Sequence, residues 1–231
     1  MQSPKSNPRS GPVFLVDDEP AVLDGLRLML STFGYACRTY GSAEDFLAAV
    51  PAGSNGCLIA DIRLPGMSGL DLQRELTHRG YQLPVIFITA HGDIRMAVAA
   101  VKAGAVEFLE KPIDDALLVD SLRQALLRED VQRTARDRAN ELAVRLQRLT
   151  LREKEVMALV IEGYSNAAIG DRLGISPRTV EHYRASVMEK MQARNLSDLV
   201  RTSMLIDLHR ERDAGAAAGT VAAAGEVGSR G

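Results

Sequence analysis

Apolar positions keep one rhythm in the first half of this chain and another in the second. Four short runs rich in Val, Ile, Leu and Phe read as buried strands, Val13–Asp17, Cys57–Asp61, Val85–Thr89 and Val106–Leu109, and Tyr35–Tyr40 reads as a further strand between the first two of them. Between them apolar residues recur at helical spacing, as in Val22, Leu26, Met29, Leu30 and Phe33. Helices are expected over Pro20–Phe33, closed by Gly34; over Ala43–Val50, capped by Ser42; over Leu70–Arg79; and from a cap at Asp93 to Ala103. Strands alternating with helices predict a doubly wound α/β domain around a parallel five-stranded sheet.

Beyond Ile113 the rhythm changes. No Gly or Pro interrupts the chain up to Glu162, which predicts helix through the junction. Within it Ala135, Ala139, Leu142, Leu146 and Leu149 alternate spacings of four and three, a short heptad seam. That seam either pairs two chains or lies on a solvated helix. Thr150 and Glu153 then form a capping-box pattern, and Gly163 ends that helix. Ser165 caps Asn166–Leu173, Gly174 stops it, and Ser176-Pro177 opens a helix reaching about Met191. A fourth starts at Asn195 or Ser197. Four short helices predict a compact all-α domain.

The polar residues that matter sit where strands end. Asp17 and Asp18 follow the first strand, Asp61 ends the third, Thr89 ends the fourth, and Lys111-Pro112 follows the fifth. In open α/β sheets ligands bind outside the carboxyl ends of the strands. Three carboxylates and an ammonium therefore converge on one crevice suited to a hard cation and a phosphoryl group. Mg²⁺ takes oxygen ligands and keeps waters. Asp18 and Asp61 would ligate it, Asp17 would hold a metal water, and Asp61 is the natural nucleophile. Lys111 would pair with the carboxylate or the phosphoryl group, and Thr89 would donate its hydroxyl to a phosphoryl oxygen.

In the third helix of the second part, Val180, Val187 and Met191 form an apolar stripe with Tyr183 at its margin. Arg178 and His182 lie opposite, flanked by Thr179, Ser186 and Lys190. A short helix, a glycine turn (LGIS) and a helix with a polar N-terminal face make a helix-turn-helix pattern, whose second helix enters the major groove. Arg178 or His182 would reach base edges; Thr179, Ser186 and Lys190 would meet phosphates. The aliphatic stem of Arg184 would pack while its head reaches a phosphate or a carboxylate.

Bulk properties adjust this picture only slightly. Net charge is −2, split into about −4 before Arg128 and about +2 from Arg128 onward, in keeping with a cation site followed by a polyanion-binding unit. Cys37 and Cys57 are neither a disulfide framework nor a metal spacing, and read as small buried hydrophobes of a reducing cytosol. No stretch has the roughly 18 apolar residues of a membrane span, so a cytoplasmic protein without membrane contact is expected. Residues 1–11 and 213–231 are polar or low-complexity and are expected to be disordered.

On these residues the first part, 12–126, resembles a two-component receiver domain: Asp17-Asp18, Asp61, Pro65-Gly66, Thr89-Ala90 and Lys111-Pro112 all fall where that family has them. The stretch ITAHGDIRMAVAAVKAGAVEFLEKP resembles the FixJ-like subgroup. The wording LTLREKEVMALVIEGYSNAAIGDRLGISPRTVEHYRASVMEKM resembles the LuxR/FixJ-type DNA-binding domain, assigned here to 149–207 with a helical linker at 127–148. The resemblance implies a flavodoxin-like fold and phosphotransfer from a sensor histidine kinase to Asp61. It also implies the backbone carbonyl of Arg63 as a Mg²⁺ ligand, a cis Lys111–Pro112 bond, and Phe108 turning inward as Thr89 moves towards the new phosphate. Dimerisation through the face of the fourth helix and fifth strand would then place two domains on duplex DNA, usually as an activator working with RNA polymerase. One departure stands out: a histidine common in the recognition helix is replaced by Tyr183, with His182 just before it, so base preference does not carry over.

Two rivals remain at this level. A Mg²⁺-dependent phosphatase of the haloacid-dehalogenase type also uses a strand-end Asp, but it wants a second Asp two residues on, where this chain has Arg63. A DNA-binding regulator independent of phosphorylation would carry a vestigial receiver, against which the full acid set argues.

Overall fold

The computed structural model describes residues 11–90 and 94–204, so all but Gly11 of the expected disordered start at 1–11, the expected disordered tail at 213–231 and the expected cap at Asp93 lie outside the described residues. The described residues divide into two compact units, one up to Thr134 and one from Ala135.

In the first unit, five parallel strands run in the order β2-β1-β3-β4-β5: β1 (Val13–Val16), β2 (Cys37–Tyr40), β3 (Cys57–Asp61), β4 (Val85–Thr89) and β5 (Glu107–Glu110). Helices α1 (Pro20–Thr32), α2 (Ala43–Ala49), α3 (Gly69–His78) and α4 (Ile94–Lys102) connect them. The central strands bury both faces, which explains their near-continuous apolar runs. Alternate residues feed two cores. Phe14, Val16, Leu58, Ala60 and Phe87 pack on the side of α2 and α3. Val13, Leu15, Ile59, Ile86 and Ile88 pack with Leu26 and Leu30 of α1 and Leu118 and Leu122 of α5 (Asp115–Gln147) on the other.

Two boundaries differ from the periodicity for local reasons. β2 begins at Cys37 because the Tyr35 amide is taken by Leu30 O, and the Gly34 amide by Ser31 O, in a glycine-closed helix end. Helix through the junction ends at Gln147. Thr150, in extended conformation, caps α6 (Leu151–Ile161) with a complete capping box, and that signal outweighs the absence of Gly and Pro.

In the second unit α6, α7 (Asn166–Leu173), α8 (Pro177–Met191) and a helix at 196–204 enclose one core. Asn195, not Ser197, caps the last of these, accepting from the Asp198 amide at 2.9 Å. Leu142 and Leu149 are buried in this same core and Leu146 packs against it. The heptad leucines therefore face the core of their own unit, which corrects the idea of a free seam for a second chain.

Candidate functional site

Pairing of β1 with β3 aligns Val16 with Ala60, so Asp17 and Asp61 emerge side by side at the carboxyl edge, where the strand order reverses. Both are buried, whereas Asp18 is exposed. The Lys111 ammonium donates to Asp17 Oδ2 at 2.9 Å and to Asp61 Oδ2 at 2.8 Å. The lysine is delivered by β5: its amide donates to Thr89 O at 2.8 Å, and the Lys111–Pro112 peptide is cis. Burial works against the ammonium's charge, but the hydrogen bonds it donates to Asp61 and Asp17, and their negative charges, outweigh it and raise its pKa above the ordinary lysine value. The remaining carboxylate oxygens are held by backbone, Asp17 Oδ1 by the Glu19 amide at 2.9 Å and Asp61 Oδ1 by the Arg63 amide at 2.8 Å.

The loop after Asp61 is fixed from two sides. Gly69 lies so close to the Asp61 backbone that a Cβ there would meet Asp61 O at 2.3 Å. Glu44, from the first turn of α2, accepts from the Met67 amide at 3.0 Å. Neither contact was visible in the sequence, because each joins residues with no common period. Thr89 is fully buried at the end of β4. Phe108 is half-buried against the core on the α2 and α3 side.

Among the described residues no three His, Cys, Asp or Glu side chains form a ready metal cage. Mg²⁺ does not need one, since it binds through one or two carboxylates and keeps its waters. The all-oxygen donors at Asp17, Asp18 and Asp61 fit that ion. The cysteines are elsewhere: burial raises the Cys37 thiol to about 11 and, with Glu129 nearby, Cys57 higher still.

In the helical unit, Ser176 caps α8 by accepting from the Thr179 amide at 3.1 Å, and its hydroxyl lies 2.8 Å from Thr179 Oγ1. Arg178 and His182 are exposed, and half-buried Tyr183 tilts against His182 with ring centroids 6.3 Å apart. Ser186 and Lys190, expected at phosphates, turn instead to a partner within the unit. Glu153 is buried; its Oε1 accepts from Ser186 Oγ and Lys190 Nζ, each at 2.6 Å, and its Oε2 from Lys190 at 2.7 Å and the Thr150 amide at 2.7 Å. The Lys190 ammonium, the Ser186 hydroxyl and the Thr150 amide hold the Glu153 pKa down to about 2. Arg184 Nη1 reaches the Asn166 side-chain oxygen at 3.0 Å, an amide where a phosphate or carboxylate was expected.

The turn between α7 and α8 depends on Gly170, where a Cβ would meet Ile175 O at 2.6 Å. A glycine inside a helical pattern was the signal for that close approach. Two arginines close helix ends in ways the sequence did not announce: Arg152 donates to Leu173 O, and Arg145 to Met191 O at 3.3 Å.

Comparison with known proteins accords with this geometry. The sequence model described as "Response regulator receiver domain" matches residues 13–123, and that described as "Bacterial regulatory proteins, luxR family" matches 147–203. The chain is 43% identical to the transcriptional regulatory protein FixJ of Azorhizobium caulinodans over 207 residues, covering 90% of this chain and 98% of the relative. It is 41% identical to the response regulator protein TodT of Pseudomonas putida, covering 84% and 86%. Among solved structures, that of the response regulator StyR superposes with a TM-score of 0.80 at 41% identity, over 84% of this chain and 99% of the other.

Proposed function

Since this chain belongs to the response regulators that join a receiver domain to a LuxR-type DNA-binding domain, we propose that a sensor kinase phosphorylates it on Asp61 and that phosphorylation drives a homodimer onto promoter DNA. The family is one of transcription factors, not of enzymes, which removes the phosphatase rival. Receiver domains generally bind Mg²⁺ at the phosphorylation site. Here Asp17, Asp18, Asp61 and the Arg63 carbonyl would hold it, and the bound ion would neutralise charge on the transferring oxygens.

The observation that carries the reading is the convergence of Asp17, Asp61 and Lys111 on one edge of the sheet. In the transfer, an Asp61 carboxylate oxygen forms a bond to phosphorus as the bond to the kinase imidazole breaks, leaving an acyl phosphate. The new group adds about −1.5 to −2 charges. Lys111 then has a stronger anion to pair with, Thr89 moves towards the phosphoryl oxygens, and Phe108 fills the space behind it. The consequence falls on α4 and β5, where Val98 and Val101 stand 46% and 59% exposed and suit a dimer face. Two recognition helices on one duplex compensate for the weak attraction of a domain with little net positive charge. Arg178, Thr179, His182 and Tyr183 are the side chains of α8 proposed to face the DNA, and Ser186 and Lys190 serve it indirectly through Glu153. The working environment proposed is the cytoplasm, with RNA polymerase as the downstream partner; no helix among the described residues is long and apolar enough to cross a membrane.

The test compares wild type with Asp61→Asn after incubation with acetyl phosphate and Mg²⁺. Wild type is expected to gain one acid-labile phosphoryl adduct, to sediment as a dimer and to bind duplex DNA more tightly; the variant should do none of these. Equal DNA affinity for the two proteins would favour the phosphorylation-independent regulator.

A further inference from the structure

The recognition helix α8 is held at three places along its length. Near its middle Arg184 reaches Asn166 of α7; further along Ser186 and Lys190 reach Glu153 of α6; at its end Met191 O accepts from Arg145 Nη1 at 3.3 Å. The first two partners lie inside the matched LuxR-type region, but Arg145 lies on α5, ahead of its first matched residue, 147.

Several features make Arg145 more than a surface cation. The last carbonyls of a helix have no partner within it. Here the amides of Gln192 and Ala193 satisfy Glu189 O and Met188 O, and Arg145 reaches Met191 O. The next residue, Gln192, is left-handed at φ 53, so the backbone turns away at once. A guanidinium at a helix C-terminus is favoured by the helix dipole as well as by the hydrogen bond. Its side chain is only 19% exposed, and Glu141, one turn earlier, takes its other nitrogen at 2.6 Å and so sets the plane of the fork. Leu142 and Leu149 flank it in sequence and share a core with Val187 and Met191 of α8.

We propose that Arg145 is a positioning residue for DNA reading: from the linker helix it fixes where the recognition helix ends, and so how Arg178 and His182 are presented to base edges. This rests on the DNA-binding reading of α8. It makes the last turns of α5 part of the reading apparatus, through a residue that itself touches no DNA.

The two roles open to an arginine here leave different traces. A phosphate contact adds to specific and non-specific affinity alike and contributes about one to the salt slope of binding. A positioning residue leaves the slope alone and lowers the preference for the right sequence. The experiment uses full-length protein with acetyl phosphate and Mg²⁺, and two duplexes: one selected by wild type from a random-sequence library, and a scrambled control. Arg145→Met, which keeps the aliphatic stem, is expected to cut the ratio of specific to scrambled affinity roughly tenfold, the size of one lost base contact, with the salt slope unchanged. Arg145→Lys should recover part of the ratio, and Glu141→Gln should lower it in the same direction by less. An unchanged ratio, including a fall in thermal stability with both affinities reduced equally, overturns the proposal, as does a salt slope smaller by one. Selection that yields no preferred sequence for wild type overturns the DNA-binding reading itself, which sets that failure apart.

Discussion

Lys111 and Asp61 share a 2.8 Å hydrogen bond, and the same ammonium holds Asp17 at 2.9 Å, so one cation keeps two buried carboxylates from repelling each other. On the proposed reading, this ammonium is the group that follows the charge when phosphate arrives. Lys111→Met is therefore expected to accept phosphate from acetyl phosphate but to lose the response. Phosphorylated Lys111→Met should show at least about a tenfold smaller gain in DNA affinity than wild type, since a charge-assisted hydrogen bond contributes roughly 1.5–3 kcal/mol. Adduct yield by mass spectrometry and DNA binding measured on the same samples decide it. A full affinity gain in the variant would remove the lysine from the switch.

Glu44 borders the proposed acceptor site, and no motif marks it. Its carboxylate takes the Met67 amide at 3.0 Å across 23 residues of sequence, and the same loop supplies the Arg63 amide that orients Asp61. The bond is exposed, so Glu44→Ala should cost under about 1 kcal/mol of stability. A looser loop should nonetheless slow adduct formation from acetyl phosphate by roughly two- to fivefold, since orientation of the nucleophile is part of the rate. Time courses for the two proteins at fixed Mg²⁺ check this; identical rates would show that Gly69 and the Asp61 backbone suffice.

Sheet, helix order and strand-end carboxylates were legible because each depends on a short-range regularity. Buried parallel strands need unbroken apolar runs, and their carboxyl ends collect the polar residues. Capping boxes and glycine stops are similarly local, which is why Thr150 and Gly34 read correctly. What the sequence concealed was choice of partner. Leu142, Leu146 and Leu149 carry the same spacing whether they meet a second chain or the core of their own unit, and they meet the latter. Lys190 and Ser186 lie on a polar flank that suits phosphates equally well, yet a buried carboxylate 37 and 33 residues earlier claims them. Burial of Glu153, invisible in one dimension, decides that competition, since an unpaired buried charge costs far more than an unmade surface contact.

Gly170 gives a prediction against ordinary propensity. In a helix interior, replacing Gly by Ala stabilises by about 0.8–1 kcal/mol. In α7 the added methyl would sit 2.6 Å from Ile175 O, a backbone atom of the turn that cannot swing aside. Gly170→Ala is therefore expected to destabilise the helical unit by about 1–3 kcal/mol, as overpacking does. Chemical denaturation followed by circular dichroism reads the sign directly; a stabilised variant would mean the turn relaxes freely.

The buried Glu153–Lys190 pair makes stability of the helical unit depend on acid. Glu153 titrates at about 2 in the folded unit, below its ordinary 4.5, so the native state holds the carboxylate more strongly than the unfolded chain does. The stabilisation is fully present above the unfolded value and is lost as pH falls from about 4.5 towards 2. Glu153→Gln keeps a side chain able to complete the capping box but removes the charge. It should be less stable than wild type at neutral pH, and the gap should narrow as pH drops through that window. Lys190→Met leaves Glu153 buried with Ser186 and the Thr150 amide as its remaining donors. A cost of about 1–2 kcal/mol is expected, below the 3–5 of a fully buried pair because 34% of the Lys190 side chain meets solvent. Denaturant midpoints at pH 3, 4 and 7 for the three proteins check both statements. If the gap between wild type and Glu153→Gln is the same at every pH, the carboxylate is not charged in the way its partners require, and the anchoring of α8 through Glu153 fails with it.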